Sequence, residues 1–210
     1  MKKFLMLFMA AALICGSTAF AADIIWVSDG QDRDGDTVAD DNGWVDLLTN
    51  NGFDVNLDFR SQQLRGEFSA DDIAALNAAD LVIVSRDTSS GSYNQPAQWN
   101  AIESPLILMS SYLTRSNRWK WLDTTTAIGD AGSPNVDLGL GDIVMQDFDI
   151  YDETAGTGQI SFNDGGTLVG NGTLIATIHE SDVDPAVNGA VAIAEWDAGT
   201  EFYDGSGEMP

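Results

Sequence analysis

Ala79-Asp80-Leu81-Val82-Ile83-Val84-Ser85-Arg86 decides the fold. Four consecutive apolar residues, three of them β-branched, end abruptly at a hydroxyl and a guanidinium. Such a run is apolar on both faces, which suits a strand covered from above and below rather than one with a wet face. The same pattern stands upstream in Asp23-Ile24-Ile25-Trp26-Val27, closed by Ser28 and Asp29. It recurs downstream in Pro105-Leu106-Ile107-Leu108-Met109, closed by Ser110 and Ser111. Between these runs the period changes. Trp44, Val45, Leu47 and Leu48 recur at helical spacing before Gly52, which stands where a helix C-cap glycine belongs. Phe53, Val55 and Leu57 alternate as a further strand. Ser69 and Asp72 have the spacing of a capping box ahead of Ile73 and Leu76, and Pro96 opens a short helix carrying Trp99 and Ile102. Strands alternating with helices predict an α/β domain with a doubly wound, mostly parallel sheet.

The second half reads differently. From Asp137 to Ile178 the chain is rich in Gly, Asp and Thr, and short apolar pieces such as Ile143-Val144-Met145 and Leu174-Ile175-Ala176 are separated by turn signals at Asp164-Gly165-Gly166 and Asn171-Gly172. Val191-Ala192-Ile193-Ala194 is expected as a last strand of the sheet. No helix pattern follows it, although a doubly wound domain normally ends with a covering helix, and the sequence leaves open whether the reading frame continues beyond Pro210.

The chain of 210 residues has the length of one domain, and 44% hydrophobic residues exclude a disordered one. Its charge is lopsided, with 33 Asp and Glu against 9 Lys and Arg, a formal −24. Duplex binding needs a basic face, so nucleic acid is excluded as a partner. Lys2 and Lys3, an apolar run from Phe4 to Cys15, and Ala19-Phe20-Ala21 form a secretory signal peptide over 1–21, cleaved after Ala21. The mature chain, 22–210, is expected as a single domain, secreted or periplasmic, with no membrane span. It loses the only cysteine and two of the nine basic residues, leaving seven.

The three strand runs resemble the core of class I glutamine amidotransferase-like domains, and more narrowly the secreted bacterial proteins built on that flavodoxin-like fold. The resemblance implies a flavodoxin-like sheet. Amidotransferases of that superfamily use a Cys nucleophile at a strand-to-helix elbow paired with a His. Here the comparable strand end carries Met109, Ser110 and Ser111, and the mature chain has no Cys, which excludes glutamine hydrolysis by that route.

Candidate sites gather at the strand ends, because open α/β sheets bind ligands outside the carboxyl ends of their strands. Asp29, Ser85, Arg86, Ser110 and Arg115 are the expected ligand-binding residues, facing a small anionic or carbohydrate ligand. Asp29 and Asp87 are the available internal partners for Arg86 and Arg115. Arg115, Arg118 and Lys120 fall within six positions, interleaved with Trp119 and Trp121. A second reading places those tryptophans in the core and the cations on an acidic surface.

A metal site is expected in Asp32-Arg33-Asp34-Gly35-Asp36-Thr37-Val38-Ala39-Asp40-Asp41. Asp32, Asp34 and Asp36 alternate as calcium ligands do, with the Val38 carbonyl and Asp40 at later positions. The run resembles short calcium repeats of bacterial surface linkers, although Thr37 stands where glycine is usual. The alternative is a solvated acidic loop. No nucleotide-cofactor motif is present.

Three functions remain open on the sequence. The first is a non-catalytic ligand-binding or surface-assembly domain with a calcium-stabilised loop. The second is an extracellular hydrolase of carbohydrate or a related substrate, using Ser110 or Asp29 with His179, the only histidine, as base. Ser110 lacks the glycine-flanked nucleophile elbow of a serine hydrolase. The third is a calcium-dependent structural or adhesive surface protein.

Overall fold

A computed structural model describes residues 22–33, 35–125, 127–130, 135–137, 142–144, 160–163, 172–179, 191–202 and 204–209. The signal segment 1–21 and Asp34 lie outside the described residues, as do the acidic clusters Asp147–Glu153 and Glu180–Asp184.

Four strands, β1 (Asp23–Val27), β2 (Asp54–Asn56), β3 (Leu81–Val84) and β4 (Leu106–Leu108), form an all-parallel sheet in the order β2-β1-β3-β4. Register is continuous across the centre: Ile25 pairs with Val82, and Val82 with Leu106. Alternate residues feed opposite cores. Ile25, Val27, Val82 and Val84 pack with Leu76 of α2 (Ala70–Leu76), Trp99 of α3 (Pro96–Trp99) and the buried Trp119 and Trp121. Ile24, Trp26 and Ile83 pack on the other face against Val45 of α1 (Asn42–Asn50), with Trp44 and Leu48 beside it. Helices cover both faces, as the doubly apolar runs require.

The local signals act as read. Gly52 adopts φ +90° just beyond α1, and Gly52 N–H and Phe53 N–H reach back to the Thr49 and Leu48 carbonyls. That pair of bonds closes the helix as a Schellman motif. At α2 the Ser69 hydroxyl accepts from Asp72 N–H at 3.1 Å, and the Asp72 carboxylate accepts from Ser69 N–H at 2.9 Å. The strand expected around Val55 is shorter, and Phe53 and Leu57 are exposed at the sheet edge.

The last expected strand is corrected. β10 (Val191–Glu195) does not extend the parallel sheet. It lies in a second, antiparallel sheet of order β5-β8-β10-β9-β6-β7, whose other strands are β5 (Ala127–Asp130), β6 (Asn135–Asp137), β7 (Asp142–Val144), β8 (Ile160–Asn163) and β9 (Thr173–His179). A parallel neighbour for β4 needs a crossover of a dozen or more residues, usually a helix. Residues 109–125 form turns instead, and the later strands pair with one another. The chain returns to the first core through Trp196, Phe202 and Met209, all packed on its aromatic cluster. Trp99 stacks on Trp119 with centroids 4.8 Å apart, and Trp121 lies 5.6 Å from Trp196.

Candidate functional site at the strand ends

The carboxyl ends of β1, β3 and β4 carry a layer of buried polar side chains: Ser28, Asp29, Ser85, Asp87 and Ser110. The loops after β1 and β3 are tied directly together, with Asp29 N–H donating to the Asp87 carbonyl at 2.7 Å. Gly30 permits a second close approach, that of Arg60. Its φ is +59°, and a Cβ there would stand 2.8 Å from the Arg60 carbonyl oxygen.

Asp29 is held on all sides. Arg65 Nε donates to one carboxylate oxygen at 2.8 Å and Arg65 Nη2 to the other. Tyr93 Oη donates at 2.9 Å and Gln31 Nε2 at 3.2 Å. The hydrogen bond from Arg65 to Asp29 holds the guanidinium pKa above its ordinary value, against the pull of burial. Burial, and then the adjacent Asp29, push the Tyr93 phenol up. Asp87 accepts from Gln31 N–H at 2.9 Å and pairs with Arg33. Its pKa is raised because burial outweighs those two contacts. Ser85 is also turned inward, its hydroxyl accepting from Asp87 N–H at 3.1 Å.

The expected crevice is therefore divided. Asp29 and Ser85 belong to a closed internal network between β1 and β3. Arg86, Ser110 and Arg115 lie on its β4 side, where Arg86 and Arg115 stand over the Tyr112 ring at 5.0 and 5.3 Å. The carboxylates read as partners for these two arginines are taken by Arg65 and Arg33 instead. His179 falls on β9 of the antiparallel sheet, opposite Asn135, whereas Ser110 and Asp29 follow strands of the parallel sheet.

Residues 110–122 form a series of turns. Leu113 N–H donates to the Ser110 carbonyl, and Arg118 N–H and Lys120 N–H both donate to the Arg115 carbonyl. Trp119 and Trp121 are in the core, while Lys120 pairs with Asp204 and Ser206 at 3.0 Å. Arg115 spends Nε on the Tyr112 carbonyl and Nη1 on the Thr125 carbonyl. Arg118 spends Nη1 on the Asn117 carbonyl, and its shielded Nε has no acceptor. Among the described residues neither arginine has a carboxylate partner. Burial, and then the like charge of Arg118, lower the Arg115 pKa. The hydroxyls of Ser110 and Ser111 are shielded and have no hydrogen-bond partner among the described residues.

Comparison with protein-family models, curated proteins and solved structures finds no match to this chain.

The acidic loop is organised by its own backbone. Asp32 accepts from Gly35 N–H at 2.7 Å and Thr37 N–H at 2.9 Å, and Asp36 accepts from Val38 N–H at 2.7 Å. Asp40 faces Arg33, which takes both carboxylate oxygens. Asp41, counted with the loop by sequence, is only 1% exposed and accepts from the Trp26 indole at 2.6 Å and from Arg60. Thr37 adopts φ +76°, the left-handed conformation that calcium loops give to glycine. No helix among the described residues is long and apolar enough to cross a membrane.

Proposed function

We propose that the chain is an exported, non-catalytic ligand-binding domain on a flavodoxin-like sheet, with a calcium ion stabilising the loop after β1. The order β2-β1-β3-β4, all parallel, supports the fold, because it matches the first four strands of the flavodoxin-like order. The absence of Cys after residue 21 removes the amidotransferase reaction of the superfamily that the strand runs resemble.

One observation carries the functional reading. The groups best placed for hydrolysis are committed to structure, while two cations have no carboxylate partner among the described residues. Asp29 is saturated by Arg65, Tyr93 and Gln31, and Ser110 is fully buried. Arg115 and Arg118, in a chain of formal charge −24, keep no described carboxylate partner. A binding role fits guanidinium groups left for an outside acceptor better than a reaction fits a saturated carboxylate. For the metal, Asp32, Asp34 and Asp36 are the proposed ligands, and the left-handed turn at Thr37 supports that reading.

The test pairs binding with turnover. The exported chain is expected to bind members of an anionic and neutral saccharide panel and to release no product from chromogenic esters or glycosides. Turnover that disappears in Ser110→Ala would overturn the non-catalytic reading. Mass spectrometry of exported protein is expected to give Ala22 as the first residue.

A further inference from the structure

The turn from Arg115 to Arg118 holds two arginines three residues apart, their backbones linked by the bond from Arg118 N–H to the Arg115 carbonyl at 2.9 Å, and the charge of Arg118 is felt at Arg115. Like charges at such spacing repel, and a folded chain normally answers with an acid. This chain has 33 acids to choose from, and it answers Arg33, Arg60, Arg65 and Lys120 in that way. Among the described residues Arg115 and Arg118 are answered by backbone carbonyls, and Arg115 by the Tyr112 ring, but by no carboxylate. Each retains Nη2 without an acceptor among the described residues. Both side chains are half-buried, so partial loss of water strengthens their pull on an anion.

We propose that Arg115 and Arg118 form a docking site for a small ligand carrying one tetrahedral oxyanion, a phosphate or sulfate ester. The inference rests on reading the domain as a binding module and names the ligand chemistry of that module. Size follows from charge: a polyanion is repelled by a surface of net −24, whereas a single group meets mainly the local pair. Shape follows from the donors. A carboxylate offers two oxygens in one plane and serves one guanidinium fork fully. The donors left unspent among the described residues are Nε and Nη2 of Arg118 and Nη2 of Arg115. A carboxylate that fills the Arg118 fork leaves Arg115 unserved, whereas a tetrahedral group supplies a third oxygen for it. Tyr112 lies under Arg115 and limits its rotation, so its remaining Nη2 is partly oriented before the ligand arrives.

The experiment is calorimetric titration of the mature chain with inorganic phosphate, sulfate and acetate, in calcium-free buffer at fixed ionic strength. Phosphate or sulfate is expected to saturate at millimolar or lower concentration, and acetate to bind at least tenfold more weakly. The tighter of the two tetrahedral ions names the ester. Arg115→Gln and Arg118→Gln are each expected to weaken binding about ten- to a hundredfold. Arg118→Lys, which keeps the charge and loses the fork, is expected to lie between. Lys120→Gln is expected to leave affinity nearly unchanged. Acetate as tight as phosphate, or Arg118→Gln as tight as the parent chain, would overturn the proposal. Neutral saccharide binding unaffected by both Gln variants would overturn it too, while leaving the binding-module reading in place. Hydrolytic turnover with intact oxyanion binding would do the reverse.

Discussion

Arg65 closes on both carboxylate oxygens of Asp29 across 36 residues of sequence, with Nε donating at 2.8 Å. Asp29 is 4% exposed, so the pair fastens the loop after β1 to the segment that precedes α2. Breaking a buried pair by removing one partner leaves an uncompensated charge, and that costs more than the pair contributes when intact. Arg65→Ala is expected to destabilise the domain by about 3 kcal/mol. Asp29→Asn keeps an acceptor for Tyr93 and is expected to cost less. Urea unfolding of the two single variants and the double variant measures the coupling. Additive losses would mean that Arg65 and Asp29 act independently.

Asp72 and Asp87 are expected to pull the pH dependence of stability in opposite directions. At Asp72 burial raises the pKa, but the Ser69 hydroxyl, Ser69 N–H and Gln63 together bring it below the ordinary 3.8. Its folded value is depressed, so its stabilisation is present above pH 3.8 and is lost as pH falls through the folded value. At Asp87 burial dominates and the folded value stands above 3.8. The ionised form is then a cost at neutral pH, relieved as pH falls through the raised value towards 3.8. Denaturant midpoints of the parent chain, Asp72→Asn and Asp87→Asn across acid pH check both signs. As pH falls, the parent chain should gain ground on Asp87→Asn between the raised value and pH 3.8, and should lose ground to Asp72→Asn below pH 3.8.

The readable parts of this fold are those whose cause is local. Leu81–Val84 announces a strand covered on both faces because four successive apolar side chains leave no wet side. Ser69, Asp72 and Gly52 announce helix ends because their partners lie within five residues. The Asp29–Arg65–Tyr93 cluster has no local signature, since its members are joined only by the fold. Asp41 misleads for the same reason: beside four other aspartates it reads as solvated loop, yet Trp26 and Arg60 hold it inside. Val191–Ala194 carries the apolar run of a parallel strand, but pairing depends on the connection, and after β4 the residues 109–125 form turns rather than a crossover helix.

Thr37 is expected to be strained. A β-branched residue at φ +76° brings its Cβ against the following carbonyl, at about 1–2 kcal/mol. Thr37→Gly relieves that contact while adding freedom to the unfolded chain, so a net gain of up to about 1 kcal/mol is expected. If Asp32, Asp34 and Asp36 share a calcium ion, adding calcium raises the melting temperature by mass action, and Thr37→Gly should enlarge the rise. Asp34→Asn combined with Asp36→Asn should abolish it. Melting curves from micromolar to about ten-millimolar calcium test this range. Superimposable curves for the parent chain would leave a loop ordered by its backbone bonds alone.

Ser110 separates a scaffold from a catalyst in one substitution. Its hydroxyl is fully buried at the end of β4 and makes no hydrogen bond among the described residues. An unsatisfied buried hydroxyl carries its desolvation cost without a compensating bond. Ser110→Ala removes that hydroxyl and leaves the volume nearly unchanged, so stability is expected to rise by about 1 kcal/mol. A nucleophile kept for reaction would give the same rise, because active-site groups are often held at a cost to stability. Turnover distinguishes the two. Under the non-catalytic reading, Ser110→Ala melts higher and binds phosphate or sulfate as the parent chain does. A catalytic serine predicts the higher melting point together with loss of turnover on every substrate the parent chain cleaves. A fall in stability on removing the hydroxyl would show that Ser110 has a partner in solution, and the turn from Ser110 to Leu113 would then be where to seek it.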